Sequence, residues 1–261
     1  MRALILQEGK GEEGSPWPFL KEKTGARPER VLPVHIGIIM DGNGRWAQKR
    51  GLPRKAGHSA GAKNFQSIAR YCNKIGIRYL TVYAFSTENW KRPQEEVDNL
   101  MNILRDYLKD AIENFHDENI RTRFIGDLSK FPEDIRDLIR RAEEGSEKDT
   151  GLVLNIAINY GGRDEILRSV RRLAERVKKG ELLPSEIDEK AIEEGLYTAG
   201  QPDPDLIIRP SGEYRLSNFM MWQAAYSEFW YSNVLWPDFS TGQLEKALDD
   251  YAARSRRFGG V

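Results

Sequence analysis

The sequence IGIIMDGNGRWAQKRG, from Ile36 to Gly51, decides how the rest of the chain is read. An apolar run, Ile36 to Met40, stops on Asp41. A Gly42-Asn43-Gly44 turn follows, then Arg45, Trp46 and a helical pattern. From Gly42 to Thr87 there is no other acidic residue. The same interval holds Arg45, Lys49, Arg50, Arg54, Lys55, Lys63, Arg70, Lys74 and Arg78. One carboxylate therefore stands at the mouth of a cationic stretch.

Outward from this stretch, strands and helices alternate. Short apolar runs at 36–40, 79–85, 122–126, 152–158 and 205–208 are rich in β-branched and aromatic residues. Helical spacing links Val97, Leu100, Met101, Leu104, Leu108, Ala111, Ile112 and Phe115, and again Ile166, Leu167, Val170, Leu173, Ala174 and Val177. Pro93 and Pro132 suit first helical turns. Near-continuous apolar strands between helices predict an α/β fold, a single domain with a mostly parallel central sheet flanked by helices. Residues 1–30, rich in Gly, Glu, Lys and Pro, read as a flexible N-terminal arm with Trp17-Pro18-Phe19-Leu20 as a docking point. Residues 31–261 form the domain.

Composition narrows the function. The 261 residues carry 40 basic and 40 acidic side chains, so net charge gives no ground for nucleic-acid binding. A single cysteine, Cys72, rules out an internal disulfide and a multi-cysteine metal site, and reads as a buried helix residue. No apolar stretch approaches the ~20 residues that span a bilayer, and MRALILQEGK meets charge too early for a signal core. The expectation is a soluble, cytoplasmic protein.

In open α/β sheets ligands bind beyond the carboxyl ends of strands. Those ends read Asp41-Gly42-Asn43-Gly44-Arg45, then Ser86 to Arg92, then Asn159 to Arg163, then Arg209 to Ser217, and each carries an arginine. Glycine turns beside a helix start aim N–H groups outward and form an anion cradle, and arginines add bidentate donors. An aspartate in such a cradle makes sense if it seats Mg²⁺, which shares hard oxygen ligands with substrate phosphates. On spacing alone the competing role for Asp41 is a helix N-cap. The P-loop pattern is absent. Gly42-Asn43-Gly44-Arg45-Trp46-Ala47 fits a relaxed dinucleotide fingerprint, but the acid expected about 20 residues on is missing. His35, at the start of a strand, reads as structural, and Trp222, Trp230 and Trp236 read as packing.

Four stretches carry a specific likeness: HIGIIMDGNGRWAQKRGLPRKAGHSAG from His35, YAFSTENWKRP from Tyr83, NIAINYGGR from Asn155, and DLIIRPSGEYRLSNFMMWQAAYSEFWYSNVLWPDF from Asp205. They resemble the cis-prenyltransferases, the family of undecaprenyl diphosphate synthase and the dolichyl-type synthases, in the family's order and spacing from His35 to the C-terminus. The resemblance implies Mg²⁺-dependent addition of isopentenyl diphosphate to an allylic prenyl diphosphate, and an apolar tunnel for the growing chain. Asp41 matches the metal and diphosphate aspartate. Gly42, Asn43, Gly44, Arg45 and Trp46 match the allylic cradle, with Arg54 and His58 as further ligands. Ser86, Asn89, Trp90 and Arg92 match a second motif, with Asn89 and Trp90 near the reacting carbons. Arg209, Arg215 and Ser217 match the isopentenyl diphosphate site. Glu213 matches the acid that orients those arginines, and Glu228 a second metal acid. Arg257-Phe258-Gly259 looks like the C-terminal motif that reaches a neighbouring subunit, which implies a homodimer. A lipid product implies peripheral association with a membrane.

One departure stands out. Where many members carry threonine after the motif arginine, this chain has Pro210, which offers no N–H. A prenyltransferase with a different acceptor or an unusual join is the alternative this raises. A non-catalytic partner subunit would lack several motifs that are present here. A Rossmann-like nucleotide or nucleic-acid binder is the remaining reading. The trans-prenyltransferase signature D-D-x-x-D is absent, since Asp249-Asp250 is followed by Tyr251-Ala252-Ala253.

Overall fold

The computed structural model describes residues 30–114 and 118–254. Residues 1–29 of the arm, with Trp17-Pro18-Phe19-Leu20, and Phe115, Arg257, Phe258 and Gly259 lie outside the described residues. The elements run β1 (His35–Ile39), α1 (Asn43–Gln48), α2 (Arg54–Lys74), β2 (Tyr79–Ser86), a 3₁₀ turn (Thr87–Lys91), α3 (Gln94–Asn114), β3 (Ile120–Ile125), α4 (Glu133–Gly145), β4 (Leu152–Tyr160), α5 (Gly162–Lys178), α6 (Glu189–Glu193), β5 (Leu206–Arg209), β6 (Glu228–Tyr231) and α7 (Thr241–Ala253).

The sheet has the order β3-β4-β2-β1-β5-β6, and every pairing is parallel. The chain leaves β1 to one side, builds β2, β3 and β4, then returns to place β5 on the other side of β1. The topological switch therefore falls between β1 and β5, which is where such sheets bind ligands. Asp41 follows β1 there and Arg209 ends β5.

Alternation along the strands sorts the core into two faces. Ile36, Ile38, Leu80, Val82, Leu154, Ile156 and Ile158 pack beneath α2, α3, α4 and α7. Ile39, Ala157, Tyr160 and Ile207 face Phe219, Met220 and Ala224 on the other side. Cys72 is fully buried in α2, and burial pushes its thiol up to about 12, so it stays an inert thiol. His35 is buried at the opposite end of β1 from Asp41. Its Nδ1–H donates to Pro202 O (2.7 Å), and Nε2 meets the Thr81 hydroxyl (2.8 Å). Asn155 extends this polar row from Thr81 to Gln201.

The sheet departs from the sequence expectation in two places. β6, Glu228-Phe229-Trp230-Tyr231, is only four residues long and sits inside an aromatic run that reads as packing. On α5 the predicted apolar stripe is buried only in part: Leu173 is buried and Ile166 and Val177 are half-buried. Glu165, Ser169 and Leu173 face inward, while Leu167 and Val170 are exposed. The reason is polar: Glu165 accepts from the Tyr160 hydroxyl (2.5 Å), Tyr197 N (2.7 Å) and Gln223 (3.1 Å), a buried network that fixes the helix's rotation.

Both sheet edges are tied by side chains. On β3, Thr122 N donates to the Ser146 hydroxyl (3.0 Å) and Phe124 N to Glu143 Oε1 (2.7 Å), both from the end of α4. On β6, Phe229 O accepts from Arg254 (3.0 Å), which is held in turn by Glu228 (2.7 Å) and Asp250.

Candidate active site

The site begins where β1 runs out. Gly42 adopts a left-handed φ of +103°, and a β-carbon there would lie 2.9 Å from Leu235 and 3.1 Å from Ser211. Only glycine meets both demands. Gly57 and Gly61, one turn apart on α2, are bare for another reason: a side chain at either would collide with Asn43. α1 thus lies directly on α2, which places Asn43 at the wall of the cleft with a buried Oδ1 that has no hydrogen-bond partner.

Asp41 is not a helix cap. Gly42 caps α1, without any side-chain hydrogen bond. The Asp41 carboxylate instead takes 2.9 Å from Arg209 Nη2 and stands 3.4 Å from Arg45. Burial alone would raise its carboxyl. Arg209, Ser211 and Arg45 outweigh burial and hold it below the usual carboxylate range, so it is ionised at neutral pH. Arg45 also donates to Ser211 O (2.9 Å) and Oγ (2.7 Å) and reaches Glu213 at 3.3 Å. Arg209 is almost fully buried and donates to the Ser217 hydroxyl (2.8 Å) and to Arg215 O. Glu213 pairs with Arg215 at 2.5 Å. The loop that carries these groups is held in unusual backbone: Ser211, Gly212, Ser217, Asn218 and Met220 all have positive φ. Such conformations persist where the surroundings enforce them, often at functional sites.

A second cationic group gathers where α2 and α3 begin. Arg54 and Arg92 each donate to Glu96 at 2.8 Å, and His58 Nε2 stands 3.4 Å from the same carboxylate. The Arg54 guanidinium lies over Gly44, about 3.2 Å from where a β-carbon would sit. Burial, then the charges of Arg92 and Arg54, push the His58 imidazole below its ordinary value against the pull of Glu96. His58 is therefore neutral at pH 7, and its buried Nε2 lacks a hydrogen-bond partner of its own.

Between the two groups lies a polar cleft of about 580 Å³, lined by Asp41, Asn43, His58, Ser86, Asn89, Arg92, Arg209, Arg215 and Ser217 among others. Asn89 is fixed at its wall by accepting from Ser86 N (3.0 Å). Behind the cleft, and sharing Met40, Asn43, His58, Ala84 and Leu100 with it, is an apolar cavity of about 110 Å³ that ends against Phe65, Met101, Leu104 and Tyr107.

Three residues expected at the site stand elsewhere. Trp46 donates its indole N–H to Asp238 (2.7 Å) beneath the Arg50 guanidinium and does not line the cleft. Trp90 donates to Asn159 (2.8 Å) and packs on Phe85 and Phe131, away from the cleft. Glu228 is level with Leu206 at the start of β5, whereas Asp41 lies past the end of β1. At ~3.3 Å per residue that is roughly 16 Å along the strands, and its carboxylate is occupied by Arg254. Glu96, which the sequence reading missed, is central. An acid in the first turn after Pro93 reads as ordinary helix chemistry, so sequence offers no signal for it.

The metal requirement can be tested on the donors. Among the described residues, no three His, Cys, Asp or Glu side chains come together to hold an ion. Asp41 presents an ionised hard-oxygen donor in the cleft beside Arg209 and Arg45. One carboxylate, with the other ligands from phosphate oxygens and water, is how Mg²⁺ is commonly held with phosphate substrates, so the set fits.

Two cationic groups at the switch point of a parallel sheet, beside an apolar cavity, suit a substrate with an anionic head and an apolar tail. The sequence family described as putative undecaprenyl diphosphate synthase matches residues 39–259, and the chain belongs to it. An isoprenyl transferase of Clostridium perfringens is 54% identical over 89% of this chain and 92% of its own length. One from Clostridium tetani is 54% identical over 94% of this chain and all of its own. Among solved structures, lavandulyl diphosphate synthase from Lavandula x intermedia, in complex with dimethylallyl diphosphate, superposes with a TM-score of 0.85 at 39% identity, covering 88% of this chain and 99% of that one. A probable undecaprenyl diphosphate synthase from Campylobacter jejuni superposes at 0.73 with 35% identity and the same coverage. The protein is a cis-prenyltransferase, and the nucleotide-binding reading falls away. Among the described residues no helix is long and apolar enough to cross a membrane.

Proposed function

We propose that the protein joins isopentenyl diphosphate to an allylic prenyl diphosphate to make a Z-prenyl diphosphate, with Mg²⁺. The observation that carries this reading is the pair of cationic groups on either side of Asp41. Two anionic substrates repel one another and need two cradles. Arg54, His58, Arg92 and the Gly42–Arg45 turn hold the allylic diphosphate. Arg209, Arg215 and Ser217, oriented by Glu213, hold the isopentenyl diphosphate. Mg²⁺ on Asp41 would neutralise charge on the departing diphosphate. The arginines and the neutral His58 N–H stabilise the same developing charge from the protein. Asn89, locked to Ser86, positions the reacting carbons; it is not basic enough to take the final proton, which passes to the diphosphate.

Pro210 supports the two-substrate reading rather than opposing it. It is buried and does not line the cleft, and Arg209 still reaches Asp41 and Ser217 past it. The apolar cavity is the entrance of the path for the chain, with Tyr107 at its floor. Tyr107→Ala is expected to lengthen the products. Exposed Leu167 and Val170 on α5, with Met221 packed beside Gly162, supply an apolar face for a homodimer, which sedimentation would detect. Peripheral membrane association would follow from the lipid product, and vesicle flotation tests it.

The experiment is product analysis with labelled isopentenyl diphosphate, Mg²⁺, and dimethylallyl, geranyl, farnesyl and geranylgeranyl diphosphates in turn, beside Asp41→Ala and a metal-free control. A ladder of Z-products lost in both controls is expected. Allylic binding without isopentenyl incorporation would overturn the acceptor and favour an unusual join, as the likeness to lavandulyl diphosphate synthase allows.

A further inference from the structure

The segment Val234 to Phe239 lies outside the cleft, yet it holds the loop that forms the allylic side of it. Trp236 N donates to Asp41 O (3.0 Å), and the Leu235 side chain fills the space beside Gly42. The Trp236 indole is fully buried and donates to Gly61 O (2.9 Å), while Asn64 of α2 donates to Trp236 O (2.7 Å) and Phe239 O (3.0 Å). The segment is thus bolted to α2. Asp238 reaches from it to α1: Oδ1 accepts from Trp46 Nε1 at 2.7 Å, and Oδ2 pairs with Arg50 at 3.1 Å. The Arg50 guanidinium lies 4.2 Å over the Trp46 ring, closing a three-member clamp.

α1 needs such a clamp. It is six residues long, too short to hold its own shape. It begins at Asn43, so its orientation decides where Gly44 and Arg45 point. We propose that Asp238 is a positioning residue for prenyl transfer: through Trp46 and Arg50 it fixes α1 so that the Gly42–Arg45 turn faces the allylic diphosphate, and Trp46 contributes from outside the cleft rather than by touching substrate. This rests on the prenyl-transfer reading above.

The test is a set of four variants, Asp238→Asn, Asp238→Ala, Trp46→Phe and the double Trp46→Phe/Asp238→Ala, beside wild type. Steady-state rates are measured against each substrate separately, with calorimetric binding of farnesyl diphosphate in the absence of isopentenyl diphosphate and a melting curve for each protein. Asp238→Ala and Trp46→Phe should each raise the allylic KM and weaken farnesyl diphosphate binding about tenfold, leaving the isopentenyl KM within about twofold. Asp238→Asn, which keeps an oxygen for the indole, should stay within about threefold of wild type. The double variant should be no worse than the poorer single one, because the two side chains act as a unit. Equal rises in both KM values, additive losses, or no change in any variant that melts as wild type would overturn the proposal. So would a Trp46→Phe loss far beyond that of Asp238→Ala, which would place the indole on the substrate. A wild-type protein that neither binds farnesyl diphosphate nor makes product overturns the functional reading itself, a result distinct from a working wild type with undiscriminating variants.

Discussion

The two cationic groups, proposed above as substrate cradles, hold their arginines in opposite ways. On the β5 side, Arg209 is 4% exposed and committed to three acceptors, Asp41, Ser217 and Arg215 O. On the α2 side, Arg54 is 68% exposed and depends on one partner, Glu96, which also serves Arg92. The β5 guanidinium is therefore fixed before any substrate arrives. The α2 guanidinium is lent to a carboxylate that an incoming diphosphate can replace. A buried donor positions an acceptor substrate without reorganisation. A surface donor with an exchangeable partner suits a diphosphate that must enter, ionise and leave.

Asp41 is common to both cradles, so removing it breaks the comparison outright. Asp41→Ala should lower turnover roughly 10³-fold, the scale of losing a main electrostatic contact. It should also destabilise the fold by about 3 kcal/mol, because Arg209 is left as a buried unpaired charge. Product formation and a denaturant melt read the two effects.

Asp41 and Arg209 sit at one end of the β1–β5 pair, and His35 closes its far end. Burial pushes the His35 imidazole down to about 4, against the opposing pull of Pro202 O and Asp205. The unfolded chain binds a proton below about 6.5 that the folded one refuses. Stability from this neutral histidine is thus complete above pH 6.5 and lost as pH falls from 6.5 towards 4, by about 3 kcal/mol in all. Urea melts between pH 7 and 4 should show that slope, and His35→Gln should flatten it.

Arg209→Lys tests the fixed side. An ammonium cannot span three acceptors in the guanidinium plane. The expected loss is roughly 10² in kcat/KM for isopentenyl diphosphate, with the allylic KM little changed. A matching loss on the allylic side would show that the cradles are not separate.

Glu96→Gln tests the exchangeable side and has the smallest effect. Two charges ~6 Å apart at an effective dielectric of ~20 repel by roughly 3 kcal/mol. The ion pairs lost with Glu96 are worth about 1 kcal/mol or less where they are partly exposed. Repulsion wins by roughly 2 kcal/mol, so allylic diphosphate should bind about thirtyfold tighter in the variant. Weaker binding would mean that Glu96 organises the arginines more than it competes with the substrate.

The fold was largely legible because its strands are apolar runs of ordinary length with glycine and arginine at their ends. Five of the six strands lie within two residues of the runs that predict them. β6 was hidden because four aromatic-rich residues have no period of their own. The rotation of α5 was hidden because Glu165, a charged residue, is the buried one. At the site, side chains on strand ends were legible and the indoles were not. The resemblance places Trp46 in the allylic cradle and Trp90 near the reacting carbons, but an indole has one N–H and a large ring, and here Asp238 and Asn159 claim the N–H. Glu228 illustrates the same limit: the resemblance gives it a role, and the strand register puts it at the other end of the sheet from Asp41.

The tied sheet edges carry a last consequence. A parallel sheet with free outer amides invites a foreign strand. Here Ser146 and Glu143 occupy the β3 amides, and Arg254 takes a carbonyl on a β6 of only four residues. Part of the outer row on each flank is therefore already engaged. These three side chains oppose strand addition, and Glu143→Ala should be the variant that first forms thioflavin-positive fibres on prolonged incubation.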